Sequence, residues 1–129
     1  MLVTLVIIPI EGVDDSKLLE SFNGIPAYYK RLDKNRYFNI EVKTEWKMFM
    51  YANEYLSNQL AEALPIILRT AEYHYFSFYK LVEDKGILKF SISPRLFDSR
   101  IKIRDNAVYP VDIESFKGIT ILDGFVFQW

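Results

Sequence analysis

The sequence contains no cysteine, which excludes disulfide bonds, thiolate nucleophiles and thiolate metal sites. It has a single histidine among 129 residues, so any scheme that needs two imidazoles is excluded as well. No linker rich in glycine, serine or proline interrupts it, and it carries no G-x-G-x-x-G, phosphate-loop, G-x-S-x-G or H-E-x-x-H motif. We therefore predict no catalytic residue, no metal and no cofactor.

The sequence also lacks an excess of charge of one sign. Its net charge is −1, so overall charge does not direct it toward nucleic acid or an anionic membrane. The apolar stretch 1–10 has half of the roughly 20 residues that a membrane span requires. It also lacks the basic leader and cleavage site of a signal peptide. We expect a soluble, cytoplasmic protein with no membrane partner.

Aromatic residues are abundant: ten Phe, nine Tyr and two Trp make up 16% of the chain. Large rings bury much surface, so the simplest interpretation is a thick aromatic core. Tyr and Trp are also enriched at binding surfaces, and the second interpretation is that some rings face a partner. The length and the absence of repeats predict one α+β domain over residues 1–129.

Both ends of the chain predict buried strands. Residues 2–8 and 119–129 are apolar on both alternating faces, as in strands that are covered on both sides of a sheet. After the first strand, Asp14 or Asp15 can cap a short helix that ends at Phe22, before Asn23-Gly24.

The middle of the chain predicts two hairpins and a long helix. The first hairpin joins residues 27–32 to 37–43, and the apolar spacing of residues 44–64 predicts a helix. Residues 73–82 and 87–92 predict a second hairpin around a polar turn that ends in glycine. A helix continuing from 44 to 82 also keeps its apolar spacing and remains an alternative. Residues 100–104, which alternate basic and Ile, predict a strand.

The element order up to residue 82 is strand, helix, strand, strand, helix, strand, which is the order of a ferredoxin-like unit. We therefore expect a mixed or antiparallel sheet with one long and one short helix packed on it, followed by extra C-terminal strands. A different mixed sheet with the long helix on one face fits nearly as well.

Basic residues crowd the first predicted hairpin, with tyrosines between them, and a second basic group, which includes Arg95, lies on the later strand. Joined by the fold, they could hold phosphates by charge and bases by stacking. An acidic protein partner is another option, and a charged turn is usually only a solvated turn. The candidate surface consists of Tyr28, Lys30, Arg31, Lys34, Arg36, Tyr37, Arg100, Lys102 and Arg104.

A subunit interface is a further hypothesis, since a wide apolar stripe on the long helix and an apolar C-terminus invite a partner. Otherwise these residues are covered by the domain's own sheet. The candidate interface consists of Trp46, Tyr51, Tyr55 and Trp129.

Two places could carry chemistry. Asp14 and Asp15 follow the first strand, where ligands often bind, although helix capping is the simpler explanation. His74 lies between Tyr73 and Tyr75, and a catalytic role would need an oriented carboxylate beside it.

We therefore predict a small non-enzymatic domain that binds another protein, as an inhibitor or assembly factor, with a homo-oligomer as an additional option. A nucleic-acid-binding module that uses residues 28–37 is the first alternative. A small hydrolase or ligand-binding enzyme around Asp14 and Asp15 is the second.

Overall fold

The computed structural model describes residues 2–32, 40–70, 72–103 and 116–129. Those residues form seven strands and two helices. The strands are β1 (Val3–Ile8), β2 (Ala27–Arg31), β3 (Trp46–Tyr51), β4 (Glu54–Leu56), β5 (Tyr75–Asp84), β6 (Ile87–Asp98) and β7 (Gly118–Gln128). The helices are α1 (Ser16–Ser21) and α2 (Asn58–Ile67).

All seven strands belong to one mixed sheet, in the order β2-β1-β3-β6-β5-β7-β4. β3 and β4 are separated by only Ala52 and Asn53 along the chain, yet β4 lies at the far edge of the sheet. The sheet must therefore curl, and it forms a half-barrel. The concave side is the inner side of the molecule, and α2 packs there.

The N-terminal strand is buried as predicted. Every residue of β1 is buried, between parallel neighbours β2 and β3. One side of β1 (Val3, Leu5 and Ile7) lies in the main core with α1 and α2. The other side lies in a second cluster, which contains Val6, Ile8, Leu32, Phe49, Phe97, Ile101 and Ile103.

The prediction of one long helix packed on the sheet is wrong. Residues 46–51 and 54–56 are strands, and only Asn58–Ile67 is helical. The reason is that β3 is buried on both faces, so its apolar residues satisfy a strand as well as a helix. Neither helix of the described residues is long and apolar enough to cross a membrane.

The first predicted hairpin and the strand at 100–104 are also corrected. β2 pairs with β1 in parallel, residues 40–43 form no strand, and residues 37–39 lie outside the described residues. Residues 100–102 form no strand and Ile103 makes a single bridge, while Arg104 is likewise not described. With β3 and β4 in place of the long helix, the element order is not ferredoxin-like.

The second hairpin is confirmed, and the alternative of a helix to residue 82 is wrong. β5 and β6 pair as antiparallel strands around Lys85-Gly86, whose φ angles of 52° and 78° form the two-residue turn that matches strand twist. β7 lies where the last strand was predicted, but only Gly124 and Val126 of it are buried. Burial on both faces is therefore wrong for the C-terminal strand.

β7 contains a long bulge that is hydrogen-bonded to the start of α2. Phe78 pairs with Ile121 but Lys80 pairs with Val126, so residues 122–125 bow out of the ladder. The Ser57 hydroxyl accepts hydrogen bonds from the backbone N–H groups of Leu60 (3.2 Å) and Phe125 (3.0 Å), and so caps α2 and holds the bulge. The bulge in turn sets the direction of the Phe125 side chain.

We predict that Gly124→Ala destabilises the protein more than Gly12→Ala does. Both glycines have positive φ (91° and 76°), so alanine is strained at either position by about 1–2 kcal/mol. A Cβ on Gly124 would also collide with the Ser57 hydroxyl and lie 2.7 Å from the Leu60 nitrogen, whereas a Cβ on Gly12 meets nothing. Urea unfolding of both variants measures the difference, and equal losses would contradict the packing of the bulge.

Candidate protein-interaction face

The β5–β6 hairpin separates from the rest of the sheet on its β6 side alone, because β5 stays paired with β7 as far as Val82. We call residues 77–93 of this hairpin the arm. β6 pairs with β3 only through residues 96–98, and beyond them no described strand pairs with β6 on the side away from β5. Pro94 has no N–H to donate, and the β5–β6 register shifts between Phe76 and Ser77. Both features bend the strand away from β3.

One side of the arm and of the adjoining strands is apolar, and we call it the outer face. Residues paired across strands share a face, and the pairs here are Tyr79 with Ile92, and Leu81 with both Phe90 and Phe127. Tyr55 pairs with Phe127 and extends the same face onto β4. The outer face consists of Tyr55, Tyr79, Leu81, Leu88, Phe90, Ile92, Phe125, Phe127 and Trp129.

Much of the outer face is open to solvent. Leu88, Phe90 and Ile92 are 56%, 61% and 53% exposed, although all three are large apolar residues. A chain of ring contacts crosses the face, from Phe90 to Phe125 (6.1 Å between centroids), on to Phe127 (6.1 Å) and then to Tyr55 (5.2 Å). Contiguous apolar surface of this kind marks an interaction site more often than scattered exposed residues do.

A cation closes one end of the outer face. The Lys17 ammonium on α1 lies 4.6 Å from the ring centroid of Tyr55 and 5.8 Å from that of Trp129. Both distances suit a cation–π contact. The face therefore has an aromatic interior and a charged border, which is the usual arrangement of a protein interface.

A buried ionic cluster on the inner side holds the arm in place. The Glu54 carboxylate is fully buried and accepts hydrogen bonds from both terminal nitrogens of Arg95, at 2.6 and 2.8 Å. Lys80 lies 2.8 Å from the same carboxylate, and the Tyr51 backbone N–H donates to it at 2.7 Å. Donor groups from β3, β5 and β6 thus meet at one anion on β4.

Arg95 also fills the gap where β6 separates from β3. Its guanidinium donates to the Phe49 carbonyl at 3.4 Å and to the Ser93 hydroxyl at 2.8 Å. The Tyr51 ring covers the cluster, with its centroid 5.6 Å from the Lys80 ammonium and 5.8 Å from the Arg95 guanidinium. The sequence placed Arg95 in an exposed basic group, and that placement is wrong.

We predict that Arg95→Met lowers the free energy of unfolding by about 3–5 kcal/mol, because it leaves the Glu54 carboxylate buried beside Lys80 alone. Arg31→Met is the matched control, since Arg31 forms an exposed pair with Asp15 that is worth at most about 1 kcal/mol. Urea unfolding at pH 7 compares them. Equal losses would show that the cluster does not support the arm.

The ionic cluster also makes stability depend on pH. Burial by itself raises the pKa of Glu54, but the hydrogen bonds and charge of Arg95, aided by Lys80 and the Tyr51 N–H, outweigh it. The pKa of Glu54 is therefore below its ordinary value. Because the folded state releases this proton more readily than the unfolded state, the contribution is complete above the unfolded pKa of about 4.3 and is lost as pH falls.

We predict that acidification from pH 6 to pH 3 lowers the free energy of unfolding less in Glu54→Gln than in the wild type. The glutamine does not titrate, whereas the lowered pKa values of Asp15 and Asp98 act in both proteins and cancel. Urea unfolding at a series of pH values measures both slopes. Parallel slopes would contradict a charged Glu54 in the folded protein.

The structure places the two predicted basic groups on either side of residues 40–44. Tyr28 and Lys30 lie on edge strand β2 and border a cavity of about 400 Å³ against residues 41–44. Arg100 and Lys102 border another, of about 620 Å³, against residues 40–42. Residues Lys34, Arg36, Tyr37 and Arg104 of the candidate surface lie outside the described residues.

Two arginines of this basic surface are already paired. Arg31 binds both oxygens of Asp15 (2.7 and 3.0 Å), and Arg100 binds both oxygens of Asp98 (3.0 and 2.6 Å). The hydrogen bond from each arginine lowers the pKa of its aspartate partner. A phosphate would have to displace these carboxylates, so the geometry gives little support to nucleic-acid binding.

The residues that could carry chemistry have partners as well. Asp14 accepts a hydrogen bond from the Ser16 N–H (2.9 Å), a local turn ahead of α1, and the side chain of the N-cap residue Asp15 makes no cap hydrogen bond. The Nδ1 atom of His74 accepts from the Lys117 N–H (3.0 Å), and both oxygens of Asp98 belong to Arg100. Within the described residues, no three acidic or histidine side chains could jointly hold a metal ion.

The candidate interface residues separate into two groups. Tyr55 and Trp129 lie on the outer face, as described above. Trp46 is buried in the core, where its indole N–H donates to the Leu68 carbonyl at 3.0 Å, and Tyr51 covers the ionic cluster. Sequence reasoning missed Leu88, Phe90 and Ile92, although their alternation with polar residues indicated a strand with one apolar face.

In comparisons with known proteins, no family model and no curated protein matches this chain.

Proposed function

We propose that this protein is a non-enzymatic interaction domain that binds another protein through the outer face. The observation that carries the proposal is the unbroken chain of ring contacts from Phe90 through Phe125 and Phe127 to Tyr55. Exposed aromatic surface on an uncovered face of the sheet is accessible to a folded partner. A protein that acts in assembly or as an inhibitor requires such a binding surface and does not require a catalytic site.

The energetics of the outer face suit a protein partner. Aromatic residues in the centre of an interface supply most of its binding free energy, and truncating one can cost 2 kcal/mol or more, about 30-fold in affinity. Phe125 and Phe127 are half-buried in the free protein. Because their rings already contact neighbouring rings, less side-chain entropy is lost when a partner covers them.

The border of the outer face indicates where a partner would need charge. Lys17 lies at the Tyr55 and Trp129 end, while Glu83, which pairs with Leu88, lies at the tip of the arm. A partner with an acidic group at one end of an apolar ridge and a basic group at the other would complement both. Nucleic acid would find one lysine on this face, whereas single-strand binding surfaces combine aromatic rings with a basic groove.

We predict that a partner captured by the wild type is lost from Phe125→Ser and from Trp129→Ser, with about 30-fold weaker binding. The measurement is quantitative affinity capture from a native extract, followed by titration of the purified partner. Ile66→Ser is the control, because Ile66 is a large apolar residue with 73% exposure on α2, away from the outer face.

Circular dichroism and urea unfolding would establish that the variants are folded. A partner that binds the wild type and both face variants equally would contradict the proposed function.

A further inference from the structure

Several strand edges lack a described neighbour: those of β2 and β4 are protected, and that of β7 outside β4 extends only over residues 118–121. The β2 edge presents charged and exposed Lys30 and Arg31. The β4 edge is three residues long and follows β3 after a two-residue turn. Charge and shortness are the means by which natural sheets prevent pairing with another chain. The β6 edge at residues 87–93 is longer and carries a single charged residue, Lys89.

The β6 edge has the features of a strand that can pair with another strand. Between residues 87 and 93 it contains no proline, no bulge and only one charged residue, Lys89. Apolar Leu88, Phe90 and Ile92 alternate with Lys89 and with serines, and all of these residues but Ser93 are exposed. In the described part of the chain, no strand lies against this edge.

The register of the hairpin shows which backbone groups point outward. In a two-residue hairpin the closing pair, here Asp84 and Ile87, exchanges both hydrogen bonds, and the pattern repeats at every second pair. Ile87, Lys89 and Ser91 therefore bond to β5. The N–H and C=O groups of the residues between them, 88, 90 and 92, point toward the open edge, while the apolar side chains of the same residues lie on the outer face.

We propose that a second copy of this chain pairs with this edge, as two antiparallel β6 strands related by a two-fold axis at Phe90. This register places Leu88 opposite Ile92 of the second copy and Phe90 opposite its own equivalent. Every outward backbone group at residues 88, 90 and 92 then meets a complementary group. A closed two-fold contact between identical edges also leaves no pairing edge on β6 for a third copy.

Charge and backbone chemistry select this register over its neighbours. A two-fold axis at Phe90 places Lys89 opposite Ser91 of the second copy. An axis at Lys89 would place two ammonium groups opposite each other, which is destabilising. An axis at Ser91 would place Leu88 opposite Pro94, which has no N–H to donate.

The dimer rests on the proposed function and deepens it. Cross-strand neighbours share a face, so pairing the two edges joins the outer faces of both copies across the axis. The two Phe90 rings become neighbours, and the ring chain of each copy continues into that of the other. A partner protein would then meet one surface of twice the length.

The first test is the mass of the purified full-length chain by sedimentation equilibrium, up to about 1 mM, a concentration at which even weak association is populated. We expect a dimer. Phe90→Lys should raise the dissociation constant by about 100-fold or more, because two lysines would meet at the axis. Ile66→Lys, which adds the same charge on α2, should leave it unchanged. A wild type that remains monomeric at 1 mM would overturn the proposal.

A matched pair of variants tests the register. Ser91→Lys faces Lys89 of the second copy with a like charge, and Ser91→Glu faces it with an opposite charge. Each contact occurs twice, so the two dissociation constants should differ by about fivefold or more, with Ser91→Glu the tighter. In the dimer, amide hydrogens at 88, 90 and 92 should exchange slowly, and in Phe90→Lys rapidly. A dimer in which neither measurement changes would overturn pairing through β6.

The two proposals fail separately. Phe125→Ser lies away from the β6 edge and should keep the dimer while it loses the captured partner. A monomeric wild type whose capture still depends on Phe125 would overturn only the dimer. A β6 dimer whose partners bind Phe125→Ser as well as the wild type would overturn only the proposed function.

Discussion

The buried carboxylate of Glu54 is the interaction on which the rest of the structure depends. It is fully buried, and it is stable there because Arg95, Lys80 and the Tyr51 N–H all donate to it. Such a cluster is costly to desolvate, so its main effect is to fix the relative positions of the strands that it joins. It joins the turn after β3 to both strands of the arm at the point where the sheet divides.

The division of the sheet determines which surface is available. Because β6 leaves β3 near Pro94, the arm has no described layer over its outer face and no described strand on its β6 edge. The bulge held by Ser57 directs Phe125 onto the same face. The proposed binding through that face and the proposed pairing along that edge both depend on these two backbone irregularities, since a regular ladder would have continued onto β3.

Sequence patterns predicted the elements whose period is unambiguous. The first strand, the short helix after Asp15 and the β5–β6 hairpin are confirmed, because strand alternation, the helix stop at Asn23-Gly24 and a turn that ends in Gly86 each act locally. The long helix failed because β3 is buried on both faces, and a largely apolar run of that kind fits either structure until its neighbours are known. Tyr55 and Trp129 lie on the outer face because Tyr55 belongs to β4 and Trp129 follows β7, and not because they form part of a helical stripe.

By itself, the sequence determined a cysteine-free chain with a buried N-terminal strand, an aromatic excess and no motif for chemistry. Only the tertiary structure decided which aromatics and which charges face solvent. Arg95 and Arg100 look alike in the sequence, yet one is buried against Glu54 and the other lies on the surface beside Asp98. Their partners are 41 and two residues away, and contacts as distant as the first form only when the sheet curls.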